Sequence, residues 1–157
     1  MSVRLEVFGV RPFRAPVRLP PGVPAHILVV DDDKDIRQIS AAALTRSGYQ
    51  VDAAADGAAA WKALQAYNYD LLITDHNMPK LTGVELVEQM RAAHMELPVI
   101  LVTGSSPAEE MDRNPRLRIA AILLKPVWPD QLLETVRAAL HESSGANVKQ
   151  RFQTAES

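Results

Sequence analysis

The sequence predicts an α/β fold, a five-stranded parallel sheet with helices packed on both faces. Three observations carry that prediction. Short, nearly all-apolar runs recur along the chain, as strands covered on both faces require. Segments with a helical apolar period separate them, which implies right-handed crossovers between parallel strands. Acidic residues, a threonine and a lysine stand directly after those runs, at the strand ends where open parallel sheets bind ligands.

The first run is Ile27-Leu28-Val29-Val30. Asp33 to Ser47 then places Ile36, Ile39, Ala43 and Leu44 on one stripe, and Gly48 stops the helix. Gln50–Ala54 is a weaker second strand, and Gly57 to Ala66 an alanine-rich helix anchored by Trp61 and Leu64. Leu71-Leu72-Ile73 is the third strand. Thr82-Gly83-Val84-Glu85 has the spacing of a capping box and opens a helix carrying Leu86, Val87 and Met90. Val99–Val102 and Ile122–Leu124 are the fourth and fifth strands. Between them Ser106-Pro107-Ala108-Glu109 opens a helix that Asn114-Pro115 should end early, with only Met111 and Leu117 to bury. Pro129 suits a first helical position, and Leu132, Leu133, Val136 and Leu140 follow at helical spacing.

The chain divides into an N-terminal arm, residues 1–24, a folded domain, 25–142, and a polar tail, 143–157. The arm holds Pro12, Pro16, Pro20, Pro21 and Pro24 with four arginines, and proline's missing N–H keeps it out of helix interiors and central strands. A length of 157 residues suffices for one domain with a full core. The net charge of -2 gives no bulk attraction to nucleic acid or an anionic membrane, so neither direct DNA binding nor membrane insertion is expected. The absence of cysteine removes disulfides, thiolate metal sites and thiol nucleophiles, and fits a cytoplasmic location.

The chemistry gathers at the carboxyl ends of the strands. Asp31, Asp32 and Asp33 follow the first strand and Asp75 the third. First and third strands are neighbours in an open parallel sheet, so these carboxylates converge and repel one another. A hard divalent cation such as Mg²⁺, which takes oxygen ligands and keeps waters for a phosphate-bearing partner, relieves that repulsion. Thr103 ends the fourth strand and Lys125 the fifth, a hydroxyl donor and a point cation of the kind a transferring phosphoryl group needs. Each feature alone is common in loops; their joint placement is not.

At this point the sequence resembles the receiver domain of two-component response regulators. The matching stretches are Ile27-Leu28-Val29-Val30-Asp31-Asp32, Leu72-Ile73-Thr74-Asp75-His76-Asn77-Met78-Pro79, Leu101-Val102-Thr103-Gly104 and Leu124-Lys125-Pro126. The resemblance implies a flavodoxin-like (βα)5 doubly wound fold with strand order 2-1-3-4-5. It implies Asp75 as phospho-acceptor, Asp32, Asp75 and the Asn77 carbonyl as Mg²⁺ ligands, and Asp31 as a carboxylate that holds the metal through water. It also implies Thr103 as the switch hydroxyl and Lys125 as the phosphate-contacting lysine, with a cis bond to Pro126. Asp33 matches no required position and is expected to cap the first helix. The implied partners are a histidine kinase or phosphotransfer protein and an unknown downstream protein; the chain is expected to be a signalling domain, not an enzyme.

Two departures stand out. Ile122 and Val127 occupy positions where the family often has aromatic residues, and the helix after the fourth strand is short. Together they put the usual coupling from threonine to output face in doubt. Two alternatives remain open. One is an unphosphorylated receiver-like adaptor. The other is a haloacid-dehalogenase-type phosphatase, whose nucleophile would lie in the Asp31-Asp32-Asp33 turn. His76 reads as a loop residue near the site. His26, His94 and His141 share no ligand spacing, although His141 suits a helix C-terminus. Trp61 reads as packing, and Trp128 as an exposed aromatic beside the site.

Overall fold

The computed structural model describes residues 22–105 and 113–142. The arm up to residue 21, the tail from 143 and the span 106–112 lie outside the described residues, and so does the body of the helix expected after the fourth strand.

Strands β1 (His26–Val30), β2 (Gln50–Ala54), β3 (Leu71–Asp75), β4 (Val99–Thr103) and β5 (Ala121–Leu124) form one sheet in the order β2-β1-β3-β4-β5. All pairings are parallel, with Ile27 opposite Leu71, Ile73 opposite Ile100 and Leu101 opposite Ile122. The expected order is therefore observed. Successive strand residues point to opposite faces, and the core divides accordingly. Leu28, Val30, Leu72 and Leu101 lie on one face under α2 (Gly57–Ala66) and α3 (Gly83–Ala92), which contribute Leu64, Leu86 and Met90. Ile27, Val29, Ile73, Ile100 and Leu123 lie on the other, under α1 (Lys34–Arg46) and α4 (Pro129–His141), which contribute Leu44, Leu132 and Val136. Full burial of a residue such as Leu44 contributes about 2 kcal/mol.

The caps follow sequence chemistry. Asp33 accepts from the Asp35 and Ile36 N–H groups at the start of α1, and Asp56 from that of Ala59 at the start of α2. Thr82 and Glu85 form the expected capping box at α3, and Pro129 opens α4. Gly48 has φ +98, the left-handed conformation that ends α1. At Asn114 the backbone leaves helical geometry, and Pro115–Leu117 form a single 3-10 turn that buries Leu117. No α-helix continues through Pro115.

One packing expectation is corrected. Ala43 and Leu44 are buried as the stripe on α1 implies, but Ile36 is 39% and Ile39 58% exposed. The first turns of α1 overhang a cavity of about 490 Å³ at the edge of the sheet, which both isoleucines help to line. Periodicity reports the face of a helix, not whether anything lies beneath its end.

Candidate functional site

Four strand ends supply the site. β1 ends at Val30, so Asp31 and Asp32 begin the next turn. Asp31 donates its N–H to the Ala54 carbonyl at 3.2 Å, which ties the turn to β2. Its side chain accepts from the Asp33 N–H at 2.9 Å, and Asp33 in turn caps α1. The acid run thus divides by role: Asp33 belongs to the helix cap, and Asp32 is left exposed beside the cavity mouth.

Asp75 is the last residue of β3, the central strand, and is only 2% exposed. Its Oδ1 lies 3.1 Å from Lys125 Nζ and accepts from the Asn77 N–H at 3.3 Å. Carboxylate oxygens of Asp31, Asp32 and Asp75 lie within 4.8 Å of one another. Burial, joined by the Asp75 and Asp32 charges, pushes the Asp31 carboxyl above its ordinary range; the Asp33 N–H and Lys125 oppose this without cancelling it. Three carboxylates against one ammonium leave surplus negative charge, and all the donors are oxygen. That combination fits a hard divalent cation such as Mg²⁺.

Lys125 reaches the site because its N–H bonds to the Thr103 carbonyl at 2.8 Å, which sets it just past β5. The Lys125–Pro126 bond is cis, as the resemblance implied. Thr103 ends β4 fully buried, but its hydroxyl is engaged locally. It donates to the Ser105 carbonyl at 2.7 Å and accepts from the Ser105 N–H at 3.2 Å. The structure therefore brings Asp31, Asp32, Asp75, Lys125 and the Asn77 backbone together. Thr103 stands on the adjoining strand end with its hydroxyl turned into the following loop.

The floor of the site depends on a glycine. A Cβ on Gly83 would come within 2.5 Å of the Asp75 carbonyl and 2.9 Å of His76 Cα, so only glycine lets α3 start against the end of β3. His76 lies in the loop after β3, as expected, but is buried at 8% exposure, and its Nδ1 accepts from the Val84 N–H at 3.4 Å. It joins the end of β3 to the start of α3. No spacing in the sequence signals that bond, which needs the fold to bring the start of α3 against the end of β3. Trp128 is 69% exposed, as expected, and Ile122 37%.

The comparisons with known proteins agree with this geometry. The model of the response regulator receiver domain matches residues 27–137. Over 127 residues the chain is 35% identical to the sensor protein EvgS of Escherichia coli, covering 81% of this chain and 10% of that protein. It is 35% identical to the alkaline phosphatase synthesis transcriptional regulatory protein PhoP of Bacillus subtilis, covering 74% of this chain and 49% of that protein. The chain thus spans half or less of the length of these relatives. Among solved structures, the chemotaxis response regulator CheY4 of Vibrio cholerae superposes with a TM-score of 0.68 at 33% identity. That match covers 74% of this chain and 99% of the other. A CheY-like receiver domain protein of Methanospirillum hungatei gives 0.72 at 29% identity, over 77% and 97%. With the family model matching residues 27–137 and the strand order β2-β1-β3-β4-β5 shared with receiver structures, the chain belongs to the response regulator receiver domain family.

Proposed function

We propose that this chain is a phospho-accepting switch in which Asp75 takes a phosphoryl group from a histidine kinase or phosphotransfer protein. The observation that carries the reading is the placement of Asp75. It is a buried carboxylate at the end of the central strand, with one oxygen held by Lys125 and Asn77 and two further carboxylates beside it. Asp32, Asp75 and the Asn77 carbonyl would hold Mg²⁺, with Asp31 acting through water. When bound, the ion neutralises charge on the phosphoryl oxygens and aligns the donor.

The protein's own residues do the rest. An Asp75 oxygen attacks phosphorus in line. The new P–O bond forms as the P–N bond of the donor breaks, and the electron pair leaves with the imidazole, which takes up a proton. Lys125 Nζ, next to Asp75, offsets the charge gathered on the phosphoryl oxygens. The product, an acyl phosphate, offers new acceptors to the Thr103 hydroxyl. Thr103 must then give up Ser105, and the β4 loop moves with it. Asp75 thus receives a group without turning over substrate, which makes the chain a signalling domain and not an enzyme.

Incubation with acetyl phosphate and Mg²⁺ should add one phosphoryl group by intact mass, and Asp75→Asn should add none. Equal labelling of that variant would move the acceptor elsewhere. A haloacid-dehalogenase-type reaction is not favoured, because family and fold both place the chain among receivers. A receiver-like adaptor that works unphosphorylated keeps one specific support, the absence of aromatics at Ile122 and Val127. Partner binding that is identical with and without beryllofluoride would favour it.

The proposed division is an arm (1–24), a domain (25–142) and a tail (143–157); its support is that the residues of both core clusters fall within 25–142. No described helix is long and apolar enough to cross a membrane. Cytoplasmic action on a downstream protein, without direct DNA contact, completes the proposal.

A further inference from the structure

One contact near the acid cluster has no part in the chemistry above. Arg37, in the first turns of α1, donates from Nη1 to the Asp31 backbone carbonyl at 2.8 Å in a partly buried setting. That carbonyl belongs to the peptide joining Asp31 to Asp32, two of the three clustered carboxylates. The orientation of this peptide plane decides the direction in which the Asp32 side chain leaves the backbone. The other anchors of the turn hold different groups: the Ala54 carbonyl accepts from the Asp31 N–H, and the Asp31 side chain accepts from the Asp33 N–H. The Arg37 N–H bonds the Asp33 carbonyl at 2.9 Å, so backbone and side chain of one residue return to the same turn.

We infer that Arg37 is a positioning residue for the acid cluster: its guanidinium pins the Asp31–Asp32 peptide so that both carboxylates face the same cation as Asp75. The inference rests on the reading of that cluster as a divalent-cation site. Its geometric and electrostatic consequences have opposite signs, which makes it separable. A guanidinium near the cluster repels an incoming dication. As a bystander charge, its removal would tighten Mg²⁺ binding. As the clamp on the peptide, its removal loosens the carboxylates and weakens binding.

The test is calorimetric titration of Mg²⁺ into the full chain and into Arg37→Ala, Arg37→Met and Arg37→Lys, with urea midpoints of each metal-free protein. Loss of a residue that orients metal ligands costs on the order of tenfold in affinity. Arg37→Ala should therefore bind Mg²⁺ roughly tenfold more weakly. Arg37→Lys, which keeps a donor and the charge, should recover most of that loss. Arg37→Met retains the apolar stem and supplies the same comparison if the alanine variant does not fold. A merely structural role would lower the urea midpoint and leave Mg²⁺ affinity unchanged. Affinity that is unchanged or tighter in both Arg37→Ala and Arg37→Met overturns the inference alone. A parent chain that binds no Mg²⁺ overturns the site reading and the inference together.

Discussion

The two ends of the sheet handle charge in opposite ways. At the carboxyl end, Asp31, Asp32 and Asp75 crowd together against the single ammonium of Lys125. At the amino end, the described charges that are drawn inward meet partners. Arg91, near the end of α3, donates to the carbonyls of Leu117, Met95, Leu97 and Arg118 at 2.8–3.2 Å. Burial, with Arg118 nearby, lowers its pKa to about 10, but the carbonyls satisfy it as a cation. His26 Nε2 lies 2.9 Å from Asp52 Oδ2, and the Tyr69 hydroxyl donates to the same oxygen at 2.7 Å. Satisfied charge at one end ties loops together, whereas surplus charge at the other suits the cation and the phosphoryl group proposed above. The difference distinguishes an architectural node from a functional one without reference to residue type.

Substitutions can break this contrast at either end. The largest effect is expected at Lys125→Ala, which removes the only ammonium that the described residues bring to the acid cluster. Acetyl phosphate labelling of Asp75 should slow about a hundredfold, as for other donors that stabilise developing charge; a rate within threefold would remove Lys125 from the chemistry. At the other end, Arg91→Ala leaves four carbonyls without their donor. A loss of about 3 kcal/mol in urea unfolding is expected, with labelling per folded molecule unchanged. A loss below about 0.5 kcal/mol would mean that water replaces the guanidinium.

Asp31→Asn sharpens the contrast by sign. Because the native carboxyl sits above its ordinary value of 3.8, the folded state keeps a proton that the unfolded chain has already released. The penalty is absent below 3.8 and grows as pH rises through the native value. Without metal, Asp31→Asn should therefore be at least as stable as the parent at pH 7, and its advantage should disappear in acid. Mg²⁺ should raise the thermal midpoint of the parent more than that of the variant. A metal-free variant clearly less stable at pH 7 would show that the Asp33 N–H bond outweighs the repulsion. The smallest effect concerns His94, which follows the last turn of α3 with φ 62. His94→Gly should stabilise the amino end by up to about 1 kcal/mol and leave labelling untouched.

Much of this was legible in the residues themselves. Apolar runs, caps and strand-end chemistry are local: Val30 before Asp31, Thr82 three residues before Glu85, Pro129 at the first turn of α4. Local sterics and hydrogen bonding decide such features, so the sequence alone determined the described strands and helices, their alternation, and the strand ends at which acids, hydroxyl and lysine stand. Tertiary structure alone decided what those elements face. It left Ile36 and Ile39 over a cavity and buried His76 against the start of α3. It also drew Arg91 onto carbonyls up to 27 positions away in the chain. Burial and long-range hydrogen bonds depend on which segments meet in space, and no spacing within one segment encodes that.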